Sequence, residues 1–403
     1  MVKERLSTLV LALVYPHRAS YYTDWQQAFL DSPVFETTLL NVARLSGRQL
    51  ERELARVELV VLLHSCTADS ISDLSRLAPA LANRKHARLV AMVGNEFNSP
   101  HIGLRDKIAL LAAIGPDVIA TQLLLEAGEF LYGRVGARVM SLPHALNARA
   151  FSPGAKSEAR PIDVGFRGER YYAFIGDDSR VRLIDTLLAQ GPELGLALDI
   201  DWKRRFDRPG WVHFLQSCRG TVGAEAGSWY LDHDDSLVLK VYDAARREQR
   251  GYVISDDHGM RQIFRRLPLR VKDAFALLLR KGPVRYSRFE DERISYEDVQ
   301  ALFSAAGTKC KAYSKCISSR HFDAIGTKTC QIMVRGRFND ILVADEHYVA
   351  VNPDLADLRG AVERFNDPGE RDRIVERAYQ YVMDAHTYPH RLAQLHTTLM
   401  SGE

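Results

Sequence analysis

Cysteine is scarce in this 403-residue chain: five, at positions 66, 218, 310, 316 and 330, with no C-x-x-C pair among them. An odd, scattered set excludes a disulfide framework and common zinc-ribbon spacings, and it suits a reducing compartment. Long apolar runs are missing too. The one near the start, residues 9–14, falls far short of the ~20 residues a bilayer span needs and is read as a strand. Nor does one sign of charge dominate. Fifty-four Lys and Arg against 51 Asp and Glu leave +3, too little to draw nucleic acid by itself. No G-x-G-x-x-G follows the first apolar run, which argues against a dinucleotide-dependent dehydrogenase. The expectation is a cytoplasmic protein, or a peripheral one on the inner face of the cytoplasmic membrane, with no permanently bound cofactor, no metal and no nucleic-acid partner.

What is present is enough apolar material, 46%, for two domains that each bury a core. Residues 8–14, 35–42, 59–63, 89–93, 118–120 and 139–142 are compact apolar runs. Between them, residues 24–30, 47–56, 71–81 and 123–132 carry apolar side chains at helical spacing. Strand and helix in alternation, with strands apolar throughout, predict a parallel sheet covered on both faces.

Ligands of such sheets bind beyond the carboxyl ends of the strands, and polar clusters stand there. Tyr15, His17, Arg18, Tyr21, Asp24 and Trp25 follow the first strand; His64 and Ser65 follow the third; Asn95, Glu96, Asn98 and His101 follow the fourth. Each alone is as readily a helix cap or a turn; their shared edge makes them candidates. Residues 153–161, rich in Pro, Gly, Ser and Ala, read as a linker.

Beyond it, residues 162–168 read as a strand ending in a glycine turn, where Gly165 permits close backbone approach and Arg167 can neutralise charge. Gly220, Gly223 and Gly227 surround Glu225, with Ser228 following. Residues 259–288 hold nine Lys or Arg and one acid around an apolar run, a pattern that suits either a solvated helix face or contact with an anionic membrane. The densest signal is Ser318-Ser319-Arg320-His321-Phe322-Asp323-Ala324-Ile325-Gly326-Thr327-Lys328-Thr329-Cys330-Gln331-Ile332-Met333, a short helix feeding a strand. Its polar residues stand at the helix N-terminus, where free N–H groups favour phosphate and Asp323 can accept bonds from a vicinal diol; the alternative is that they only cap the helix.

This block resembles the S-x-R-x-F-E-A-x-A/G-x-G signature of the GT-B glycosyltransferases of the group 1 and CgeB-like (spore-maturation-type) kind. Residues 142–153 resemble that family's L-P-x-G-x-(N/D)-x-x-x-F-x-P segment, and residues 223–228 its G-x-E-x-G-x-S segment. The resemblance implies two Rossmann-like parallel-sheet domains facing a cleft: residues 1–155 for the acceptor, 160–380 for a nucleotide sugar, and 381–403 as a helix crossing back, kinked at Pro389. It implies donor contacts from Ser319, Arg320, His321, Asp323, Gly326, Thr327, Lys328, Gly165, Arg167, Gly223, Ser228 and His347. His17, Arg18, Tyr21 and Asn95 would meet the acceptor. One departure stands out: the E-x7-E pair of retaining members has Lys315 in place of its first acid. Glu225, Glu96, Asp24 and His101 are then the catalytic candidates, and retention or inversion stays open. The implied activity is metal-independent transfer from a UDP- or GDP-sugar to a glycan, lipid-linked or glycoconjugate acceptor in bacterial surface polysaccharide synthesis. The alternatives are a module that binds nucleotide or glycan without catalysis, or a nucleotide-sugar epimerase.

Overall fold

A computed structural model describes residues 5–14, 21–68, 70–99, 103–247, 295–305 and 312–401. The apolar runs become strands because leucine and β-branched side chains suit a pleated surface buried on both sides. Leu6–Ala12 (β1), Phe35–Asn41 (β2), Leu59–Leu62 (β3), Arg88–Met92 (β4), Val118–Thr121 (β5) and Arg138–Ser141 (β6) form one sheet. Its order is β2-β1-β3-β4-β5-β6, every neighbouring pair parallel. The helices between are Tyr21–Leu30 (α1), Gly47–Leu54 (α2), Ser72–Ala82 (α3), Leu104–Ile114 (α4) and Leu125–Tyr132 (α5). Alternate residues of β1 divide between two cores. Leu9 and Leu11 pack with Leu50, Leu77 and Leu111 on one face, and Val10 and Ala12 with Trp25 and Phe29 on the other.

A second, five-stranded sheet holds Ile162–Arg167 (β7), Leu198–Asp201 (β8), Cys218–Gly223 (β9) and two later strands. Between β7 and β9 lie Ser179–Gln190 (α6) and Arg208–Ser217 (α7). Asp207 caps α7 by accepting from Gly210 N at 2.9 Å. A two-residue ribbon pairs Ala226–Gly227 (β10) with Lys315–Cys316 (β11), flanked by Ser236–Arg247 (α8) and Tyr296–Ala305 (α9). Then come Ser319–Gly326 (α10), Cys330–Val334 (β12), Val349–Val351 (β13), Leu358–Asn366 (α11), Pro368–Ala385 (α12) and Tyr388–Met400 (α13). The order β13-β12-β9-β7-β8 is again parallel throughout.

The chain then returns to its beginning. Tyr388, Leu392, Leu395 and Leu399 of α13 lie in the first lobe's core with Trp25 and Phe35, and Arg391 Nε donates to Pro143 O at 3.0 Å. The kink expected at Pro389 is instead a break between helices. Thr387 caps α13, so Pro389 falls in a first turn where a missing N–H costs nothing. Among the described residues no helix is long and apolar enough to cross a membrane. The basic segment 259–288 lies outside the described residues.

Candidate active site

In the second sheet β8 lies on one side of β7 and β9 on the other, so the crevice of a doubly wound sheet opens past the ends of β7 and β9. α10 begins over that crevice and is tied to both strands. Arg320 Nη1 donates to Arg167 O at the end of β7. His321 Nδ1 accepts from Ser318 N at 3.1 Å, which leaves its other nitrogen to donate to the Ala224 carbonyl just past β9. Burial, helped by the Arg180 charge, pushes the His321 pKa down to about 3. The ring is therefore neutral, a fixed cap that aims the helix mouth.

A cavity of about 430 Å³ opens at this mouth, lined by Ser318, Ser319, Arg320 and Asp323 of the second lobe and by Tyr21 and Asp24 of the first. Six arginines reach it: 167, 180, 204, 205, 208 and 320. Arg167 binds both oxygens of Asp199 at 2.8 Å, Arg205 pairs with Glu169 at 2.6 Å, and Arg208 pairs with Asp24 at 2.5 Å. Arg180 lies over the Tyr171 ring at 3.7 Å and donates to Glu169 O. Among the described residues Arg180, Arg204 and Arg320 have no carboxylate partner. Asp323 Oδ2 accepts from Trp211 Nε1 at 2.9 Å. Burial, then the facing Asp24, raises its pKa to about 8, so at neutral pH this carboxyl is mostly protonated.

A second cavity, about 420 Å³, lies between the lobes and shares Glu169 and Tyr171 with the first. Tyr172 and Phe174 add aromatic wall; Asn95 and Glu96 come from the first lobe. Glu96 is 6% exposed. Its Oε1 accepts from Thr121 Oγ1 at 2.5 Å and its Oε2 from Gln122 N at 2.8 Å. Burial outweighs these bonds and raises its pKa to about 7. A carboxylate at that poise can take a proton from a hydroxyl near neutral pH.

The structure separates several residues that the sequence groups together. Glu225 is buried away from both cleft cavities, on one of about 460 Å³ beside Lys315, its oxygens held by Tyr313 Oη and by Phe338 N at 2.6 Å. Lys315, where retaining members carry an acid, is buried and ion-paired with Asp177. Gly165 is a packing residue: a Cβ there would strike Cys218 Sγ and Phe214. Arg167 is committed to Asp199 and is not free for a phosphate. Ser228 Oγ is spent on Ile175 O and Tyr230 O inside a loop. Gly223 ends β9 with His321 against it. Gly326 packs on Leu146 and Phe151, Thr327 Oγ1 donates back to its own helix, and Lys328 pairs with Glu376 at 2.5 Å. These three close the far end of α10, an eight-residue helix that spans about 12 Å. His347 precedes β13 at the opposite edge of the sheet, stacked on Tyr381 with ring centroids 4.7 Å apart. His17, Arg18 and His101 lie outside the described residues. Sequence reading passed over Arg204, Arg205, Arg208, Glu169 and Tyr171, and the helical spacing of Trp211 with Phe214, Leu215 and Cys218 reads as a core face, whereas Trp211 lines the cavity; only the arginine density of 203–208 hinted at the cluster.

Residues 261–397 match a family model described as glycosyl transferase-like. The crystal structure of Anabaena Alr3699/HepE in complex with UDP aligns over 98% of this chain and all of that one, with a TM-score of 0.52 at 8% identity. The same protein in complex with UDP-glucose aligns over 98% and 100%, with a TM-score of 0.50 at 10% identity. The fold is GT-B. No curated protein matches the chain. In GT-B terms the six-stranded lobe is the first Rossmann-like domain and the five-stranded lobe, with α10 at its crevice, the second.

Proposed function

We propose that this protein is a glycosyltransferase that moves a sugar from a nucleotide-diphosphate sugar to an acceptor hydroxyl. The carrying observation is the trio Arg180, Arg204 and Arg320, which have no carboxylate partner among the described residues, around the N-terminal amides of α10. Cations and helix amides converging on one space favour a multiply charged anion such as a diphosphate. The fold shared with a protein bound to UDP and UDP-glucose supports a UDP-sugar as that anion's source.

In this reading the same groups do two jobs. They hold the donor, and they meet the charge that grows on the diphosphate as the sugar departs, with guanidinium groups rather than a metal supplying the neutralisation. Asp323, steadied by Trp211, meets the ribose hydroxyls. The acceptor lies in the Tyr171–Phe174 cavity, where Glu96 takes its proton. A base on the first lobe and a lysine at 315 together favour inversion. The sequence resemblance of residues 318–333 to the CgeB-like group supports a glycan, lipid-linked or glycoconjugate acceptor in bacterial surface polysaccharide synthesis, on the cytoplasmic side of the membrane.

The test is calorimetric titration with UDP, UDP-glucose, GDP and GDP-mannose, followed by product analysis with and without sugar acceptors. At least one diphosphate should bind, and Arg320→Ala should weaken it about tenfold, as loss of a charge-assisted bond predicts. Sugar epimerised without acceptor would replace transfer by epimerisation; no binding of any diphosphate refutes the reading.

A further inference from the structure

One residue absent from every list of candidates above joins the two lobes through a continuous line of hydrogen bonds. Asn339 stands in a turn after β12 where Phe338, Asn339 and Asp340 all have positive φ, 46°, 55° and 57°. Three consecutive non-glycine residues in this region are costly and persist only when their surroundings hold them. Here Glu225 Oε1 accepts from Phe338 N at 2.6 Å. Asn339 Oδ1 accepts from Ile317 N at 2.7 Å, which fixes which way the amide faces. Its Nδ2 is thereby aimed across the domain boundary and donates to Gln122 O at 3.0 Å.

The line continues inside the first lobe. The peptide that carries the Gln122 carbonyl also carries the Leu123 N–H, which donates to Thr121 Oγ1 at 3.0 Å. The Thr121 hydroxyl donates in turn to Glu96 Oε1 at 2.5 Å. Every member donates in the same direction, so each bond polarises the next, and the line ends on a buried carboxylate. Glu96 is otherwise faced by Lys107 of α4, Tyr132 of α5 and Cys316 of β11, with Glu169 and Arg170 across the cavity.

We propose that Asn339 is a positioning residue: the second lobe's amide, through Gln122, Leu123 and Thr121, orients and stabilises the ionised Glu96 carboxylate when the lobes are docked. This rests on Glu96 acting as the base of the transfer proposed above. Glu225, a catalytic candidate from the sequence, then serves by holding the turn that presents Asn339. The chemical consequence is that base strength is tied to closure. An open enzyme carries a Glu96 that holds its proton more tightly, and a docked one carries a readier base.

Asn339→Asp is the informative variant, because it keeps an oxygen for Ile317 N and loses the amide donor. Glu126→Gln is its control. It breaks the neighbouring Arg337–Glu126 ion pair, 2.8 Å long, across the same boundary and leaves in place the Arg337–Asp340 pair that braces the turn of Asn339. For sugar transfer, the acid limb of kcat/KM against pH should move upward in Asn339→Asp, giving about a fivefold loss at pH 6 and little loss at pH 8.5. Glu126→Gln should leave the limb in place. An unmoved limb in Asn339→Asp, an equal loss at every pH, or the same displacement in Glu126→Gln each overturns the proposal. A readout without substrate separates this from failure of the glycosyltransferase reading. In thermal unfolding of Asn339→Asp, Glu96→Gln and the double variant, the two changes should be non-additive by about 2 °C at pH 8.5 and additive at pH 5.5. Additivity at both pH values overturns it whatever the enzyme's substrate.

Discussion

Asp323 shows how one side chain's surroundings reverse its expected chemistry. From sequence it is an ionised acceptor for a diol; in the fold, burial and the facing Asp24 raise its pKa to about 8. Because the folded value lies above the unfolded one, the group's contribution to stability is fully present below the unfolded pKa and is lost as pH rises through about 8. Asp323→Asn should therefore cost little at pH 7, keeping nucleotide affinity within about threefold by calorimetry, whereas Asp323→Ala, which abandons Trp211, should lose about tenfold. Above pH 8 the asparagine variant should melt higher than the parent. A parent whose melting temperature is flat between pH 6 and 9, with Asp323→Asn as weak a binder as Asp323→Ala, would mean that the carboxylate is ionised after all.

Glu96 was legible in the sequence because it follows the apolar run at 89–93, and the end of a parallel strand is where such sheets bind; Asp323 was legible as part of the 318–333 block. The arginine cluster was legible only in part. Arg320 stands in the 318–333 block, but Arg180 at the start of α6, Arg204 and Arg320 lie more than a hundred positions apart at the extremes, and only the folding of β7, β8 and α10 onto one crevice brings them together. Charge commitment was equally hidden: nothing in a sequence says that Arg167 will be claimed by Asp199 or Lys315 by Asp177.

At the scale of elements, strand positions were readable to within a few residues, since short apolar runs alternating with longer segments of helical spacing can be assigned by their length. The helix after β4, α4, escaped notice. Its first residues follow a Gly with no capping side chain of its own, so the usual start signal is missing. α10 was readable in extent, with Ser318 at its N-cap, but not the part of His321, which stands at the third helical position where a capping box ordinarily carries Glu or Gln. His321 gives Ser318 N an acceptor and ties the helix to Ala224. His321→Ala should cost about 2 kcal/mol, from two lost buried bonds and the space left behind. It should also lower nucleotide affinity, because the helix mouth loses its aim. His321→Gln, which restores an acceptor at the third helical position in the manner of a capping box, should recover most of both. Equal melting temperatures for the alanine and glutamine variants would show that packing, not the cap, matters at this position.

At the scale of the whole molecule, the first lobe's α4 is completed by the second. Asp235, 3% exposed and at φ 60°, accepts from Arg105 N at 2.8 Å through Oδ2 and from Asn98 Nδ2 at 2.7 Å through Oδ1. Asn98 returns a bond by accepting from Asp232 N at 2.9 Å. A carboxylate at a helix N-terminus satisfies free N–H groups and complements the dipole, worth about 1 kcal/mol in each respect. Here that stabilisation is collected only when the lobes touch, so it acts on docking and not on the folding of either sheet. Asp235→Ala should accordingly leave the cooperative melting of the sheets nearly unchanged while loosening the joint. Amide hydrogen exchange at Arg105 to Lys107 should quicken about tenfold, the radius of gyration in solution scattering should grow, and both changes should shrink when nucleotide sugar is added, since a ligand gripped by both lobes restores contact. If exchange at the start of α4 is unaffected while the sheets themselves lose stability, Asp235 belongs to the core of its own lobe. Other contacts across the boundary, among them those of Asn339, Arg208, Arg337 and α13, must then hold the two lobes together.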